Sequence, residues 1–73
     1  MRRYFFDLEG QQRKQYDYCG RIFNGAERAG QFAELIALDL GIAPDSEWWG
    51  WNICVRDERG QHFVSVPVQE CAQ

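Results

Sequence analysis

The sequence predicts an α+β domain of order β-β-α-β-β, a four-stranded, mostly antiparallel sheet with one helix packed on one face. Three observations lead there: an aromatic segment opens the chain, one amphipathic stretch at helical spacing follows, and two alternating segments flank a turn signal near the end. Seventy-three residues leave room for a single core, so residues 1–73 are read as one domain.

Arg3-Tyr4-Phe5-Phe6-Asp7-Leu8 is rich in strand-forming aromatics, and Glu9-Gly10-Gln11 turns the chain back. The return strand, Gln12-Arg13-Lys14-Gln15-Tyr16, is almost wholly polar, which suits an edge. Asp17-Tyr18-Cys19-Gly20 reads as a structured turn, because an aspartate can bond the amides ahead of it and a glycine accepts positive φ.

Asn24-Gly25-Ala26-Glu27 has the form of a capping box with Asn24 at the cap. Ala29, Phe32, Ala33, Ile36 and Leu40 then recur on one helical face, so a helix is predicted over residues 25–40, ended by Gly41 in the left-handed conformation and by Pro44 beyond it. In residues 49–56, Trp51, Ile53 and Val55 alternate with Asn52, Cys54 and Arg56. Asp57-Glu58-Arg59-Gly60 is a hairpin signal, with Gly60 at the positive-φ position. The last strand covers residues 61–68, with Val64, Val66 and Val68 on one side and Phe63, Ser65 and Pro67 on the other, and Pro67 marks its end or an edge. Glu70-Cys71-Ala72-Gln73 reads as a frayed tail.

The helix side of the sheet is expected to gather Tyr4, Phe6, Leu8, Phe32, Ile36, Leu40, Trp51, Ile53, Val55, Val64 and Val66 into the core. The opposite face is left open, with Phe5, Cys54 and Phe63 set among Arg3, Asp7, Asn52, Arg56 and Ser65.

Composition limits function. Eight Lys and Arg against eleven Asp and Glu give a net charge of −3, the wrong sign for bulk attraction to nucleic acid or anionic lipid. The apolar run after Arg2-Arg3 is too short for a signal core, and no stretch is long enough to span a membrane, so the expected location is the cytoplasm. Cys19, Cys54 and Cys71 are odd in number and widely spaced, which fits a reducing compartment better than a disulfide framework or a zinc knuckle. His62 is the lone histidine and sits beside a turn, without the companions that zinc or general base catalysis needs. No phosphate loop, nucleotide fingerprint or hydrolase elbow occurs. The expectation is no enzyme, no cofactor and no metal.

The order Arg3-Tyr4-Phe5-Phe6-x-Leu8, Asp17-x-x-Gly20, an alanine-rich helix, and Trp51-x-Ile53-x-Val55-Arg56-Asp57-Glu58-x-Gly60 leading to Val64-x-Val66-Pro67 resembles a family of small, stand-alone bacterial domains of unknown function. The resemblance covers nearly the whole chain and implies this fold and a bacterial origin, but no activity. Members often carry a histidine just after the N-terminal aromatics, where this chain has Asp7, so a role needing an imidazole there does not carry over.

Trp48-Trp49-Gly50-Trp51 is the most unusual segment, since three indoles cannot all enter so small a core. They either seal the open end of the core or anchor a partner. The candidate interaction surface is Phe5, Trp48, Trp49, Cys54, Arg56 and Phe63. The expected function is a non-enzymatic protein-interaction or self-association module, such as a homodimer. The alternative is a small antitoxin-like regulator contacting nucleic acid through Arg2, Arg3, Arg13, Lys14 and stacking aromatics.

Overall fold

The computed structural model describes residues 1–70, and Cys71, Ala72 and Gln73 of the expected tail lie outside the described residues. Strand β1 (Arg2–Glu9) is followed by β2 (Lys14–Gln15), β3 (Arg21–Phe23), helix α1 (Ala26–Ile42), β4 (Asn52–Asp57) and β5 (His62–Pro67). The sheet runs β2-β1-β4-β5, all antiparallel, and β3 also pairs with β1. This is the α+β arrangement the sequence predicts, with one added strand. Three residues are too few for an alternation signal, so β3 is invisible in the sequence.

Strands β2 and β3 lie along the same side of β1. Leu8 and Glu9 face Gln15 and Lys14, whereas Arg2, Arg3 and Tyr4 face Phe23, Ile22 and Arg21. They form one edge strand broken by the loop of residues 16–20. Asp17 organises that loop as the sequence suggests: its carboxylate accepts the amides of Cys19 (3.0 Å) and Gly20 (3.1 Å), and Gly20 has φ 70°. The same carboxylate accepts the Phe6 amide at 3.1 Å, filling the place of the missing strand partner.

The helix begins one residue later than the capping box requires. Gly25, not Asn24, is the N-cap, with no side-chain hydrogen bond, so the Asn24 side chain is one position out of register with the helical amides. At the other end the helix runs through Gly41 to Ile42. Gly41 is therefore no left-handed terminator. It is buried against residue 69, and a Cβ there would clash with the Gln69 carbonyl oxygen. The carbonyls of the last turn are capped from the following loop: Ser46 Oγ donates to Leu40 O at 2.7 Å and Trp49 Nε1 to Gly41 O at 3.1 Å.

Ala29, Ala33, Ala37 and Gly41 form the buried stripe of α1, and their small side chains let the helix lie close on the sheet. The core beneath is Tyr4, Phe6, Ile53, Val55 and Val68, flanked by Phe23, Phe32, Ile36 and Leu40. Full burial of Ile53, Val55 or Val68 contributes roughly 1.5–3 kcal/mol each. Phe6, Phe23 and Phe32 meet with centroids 5.3–5.9 Å apart.

Two expected core residues lie elsewhere. Trp51 precedes β4 and packs edge-on against Trp48 at 4.8 Å, over Gly10. Val64 sits on the edge strand and keeps 40% of its surface exposed. Gly60, at φ 85°, makes the β4–β5 turn as expected, and buried Asp57 closes it by accepting the amides of Arg59 and Gln61, both at 2.9 Å.

Candidate functional site

On the side of the sheet away from the helix, β1 and β4 bring Asp7 opposite Cys54 and Phe5 opposite Arg56. Asp7 is only 1% exposed, although it lies on the expected open face. Arg56 Nε donates to Asp7 Oδ2 at 2.6 Å, and the Asp17 amide donates to Asp7 Oδ1 at 2.9 Å. Arg56 also reaches the Asp17 carbonyl at 3.2 Å and lies 4.5 Å above the Phe5 ring. The loop of residues 16–20 thus bends over the sheet and seals a carboxylate under a guanidinium.

These contacts set the proton affinities. The hydrogen bond to Asp7 raises the Arg56 pKa, against the opposing effect of its own burial. Burial pushes the Asp17 carboxyl up, but the three amides of Gly20, Phe6 and Cys19 outweigh it and hold the group below its ordinary 3.8. Burial raises the Cys54 thiol, which sits 3.7 Å from a Glu9 carboxylate oxygen and 3.8 Å from Ser65 Oγ. A thiol held protonated beside a carboxylate is a poor nucleophile.

The six residues singled out in the sequence do not form one surface. Phe5, Cys54 and Arg56 share the open face, but Cys54 is buried and Arg56 is engaged by Asp7. Trp48 and Trp49 are half-buried and pack against the helix-side core. Phe63 is on the wrong face for the alternation argument. A register shift between Val55 and Arg56 places an extra residue in β5, and Phe63 swings to the helix side, 5.7 Å from Tyr4.

Two features were missed. Asp7 reads as a solvent-facing strand residue, and its partner Arg56 lies far along the chain, so no local pattern links them. The second is a set of exposed apolar side chains: Leu35, Leu38 and Ile42 on α1, and Phe63 and Val64 on β5. Their helical spacing was present in the sequence beside the inward set.

A cavity of about 580 Å³ is an open groove between the β1–β2 turn and residues 47–51, with Arg13 at 5.9 Å from the Trp51 ring. Among the described residues no three metal-ligating side chains cluster, and no helix is long and apolar enough to cross a membrane. A family model described as a domain of unknown function, DUF6894, matches residues 3–69. No curated protein and no solved structure matches the chain.

Proposed function

The chain belongs to the DUF6894 family, and we propose that it acts as a non-enzymatic protein-interaction module whose contacts are made where β5 meets the helix. The position of the exposed apolar surface supports this reading. Leu38 is 55%, Val64 40% and Phe63 38% exposed, Leu38 lines a groove with Val66 and Pro67 of β5, and Leu35 and Ile42 are also exposed on α1. Exposed large apolar side chains on neighbouring elements of a small chain mark a contact surface. The opposite face offers less, because its charged centre is already internally paired.

The test is affinity capture of proteins from a cell extract by the full chain, with nuclease present, beside a Leu35→Ser/Leu38→Ser variant. The wild-type chain is expected to retain a protein, or a tagged second copy of itself, that the variant loses. A chain that retains neither, and stays monomeric at every concentration, is not such a module.

A second reading, a small antitoxin-like regulator that contacts nucleic acid, draws on a different observation. Tyr16 and Tyr18 are exposed at the opposite edge, with the Lys14 ammonium 5.3 Å from the Tyr16 ring. The net charge of −3 opposes it. Capture that vanishes under nuclease favours this reading over the first.

A further inference from the structure

The two edges of the sheet are built differently. On the β2/β3 side the edge is short and broken, carries Lys14 and Arg21, and has the Phe6 amide covered by the Asp17 carboxylate. Such an edge is guarded against pairing. On the other side, among the described residues, β5 pairs only with β4, which leaves its outer flank free of them. Residues 61–69, Gln-His-Phe-Val-Ser-Val-Pro-Val-Gln, contain no Asp, Glu, Lys or Arg.

Backbone polarity shows which groups that flank presents. The Val68 amide donates to Trp51 O at 2.8 Å, toward β4. Backbone groups alternate sides along a strand, so Val66 and Val64 also address β4, while Ser65 and Pro67 address the free side. Pro67 lacks its N–H on the side where β4 needs none, and Ser65 is left with an outward N–H and C=O.

We propose that this flank is a self-pairing edge: β5 of one copy joins β5 of a second copy, antiparallel, about a two-fold axis at Ser65. The proposal rests on the interaction-module reading and names its partner. At this register Ser65 exchanges both backbone bonds with its counterpart, Val64 lies opposite Val66 of the second copy, and proline falls toward the ends of the ladder. Charge selects the antiparallel sense. Arg59 lies just before the uncharged run and Glu70 just after it, so antiparallel copies bring unlike charges together at both ends, whereas parallel copies would stack like on like. Beside the edge runs a groove of about 290 Å³, lined by Leu38, Val66 and Pro67 with Glu34 and Glu70 at its margin, which the helix side of the second copy would close.

The test is sedimentation of the full chain from micromolar to millimolar concentration, with amide exchange at Ser65. A dimer is expected, with the Ser65 amide slowed by at least about tenfold between the dilute and concentrated samples. Ser65→Pro removes the outward donor, and Ser65→Lys keeps it but sets like charges at the axis. Both are expected to be monomers with unchanged circular dichroism. A wild-type chain that is monomeric throughout overturns self-pairing, and if it still captures another protein the module reading stands. A dimer that persists in both variants, with the Ser65 amide exchanging freely, also overturns it and moves the contact to another surface.

Discussion

The two faces of the sheet are held by different physics. Under the helix, fit decides: Ala29, Ala33, Ala37 and Gly41 keep the backbone close while Phe6, Phe23 and Phe32 fill the space beside it. On the other face the described residues form no second layer, and closure comes from charge and hydrogen bonds. Asp7, Arg56 and the Asp17 loop interlock over β1 and β4. A buried ion pair adds little net stability compared with apolar residues of the same volume. Its effect here is to fix where the loop of residues 16–20 lies, which apolar contacts, being non-directional, would leave free.

The comparison fails first at Asp7 if it is wrong. Asp7→Ala leaves Arg56 and the Asp17 amide without their acceptor. The expected loss is about 2–3 kcal/mol in urea unfolding, below the ~3–5 kcal/mol of a fully buried pair, since the Arg56 side chain keeps 22% of its exposure and regains water. Replacing both partners, Asp7→Leu with Arg56→Met, is expected to recover most of that loss. If the single variant is as stable as wild type, the open face is not held by this pair.

Gly41→Ala tests the helix face, with a smaller expected effect. Alanine gains up to about 1 kcal/mol of helix propensity, but its Cβ meets the Gln69 carbonyl oxygen. Forcing a methyl into a packed site costs typically ~1–3 kcal/mol, so the clash wins and a net loss of about 1 kcal/mol is expected. A rise in thermal midpoint would show that the chain at residue 69 yields and that close fit does not govern this face.

Legibility in the sequence divides along the same line. Periodic features were readable: the alternation of Ile53 and Val55 against Cys54 and Arg56, and the helical recurrence of Ala29, Ala33 and Ile36, since repetition over several residues outweighs any single exception. The Asp17 turn was readable because its hydrogen bonds are local. Phe63 was not, because the one inserted residue turns it to the other face while Val64, Ser65 and Val66 keep the sides that alternation gives them, and such an insertion leaves no trace in composition. The core sits on the expected face: Tyr4, Phe6, Ile53 and Val55 are buried as expected, while on the helix Ala29, Ala33 and Ala37 are the buried positions and Phe32, Ile36 and Leu40 pack at their margin. Of the candidate surface, Phe5 and Arg56 were placed on the right face, yet that Arg56 was already engaged depended on a pairing no local pattern records.

The smallest expected effect belongs to Asp17, and it separates charge from shape on the open face. Its folded pKa lies below the ordinary 3.8 because three amides point at the carboxylate. As pH falls, the unfolded chain therefore takes up this proton before the folded one does. The stabilisation is complete above the unfolded value and is lost as pH drops through the folded value. Asp17→Asn keeps an acceptor for these amides but carries no titrating charge. Its unfolding free energy is expected to fall less steeply than that of wild type below about pH 4, with the two curves parallel near neutrality. Curves parallel down to the acid limit would mean that the amides hold Asp17 by geometry alone, and the contrast between the two faces would then rest on the Asp7–Arg56 pair.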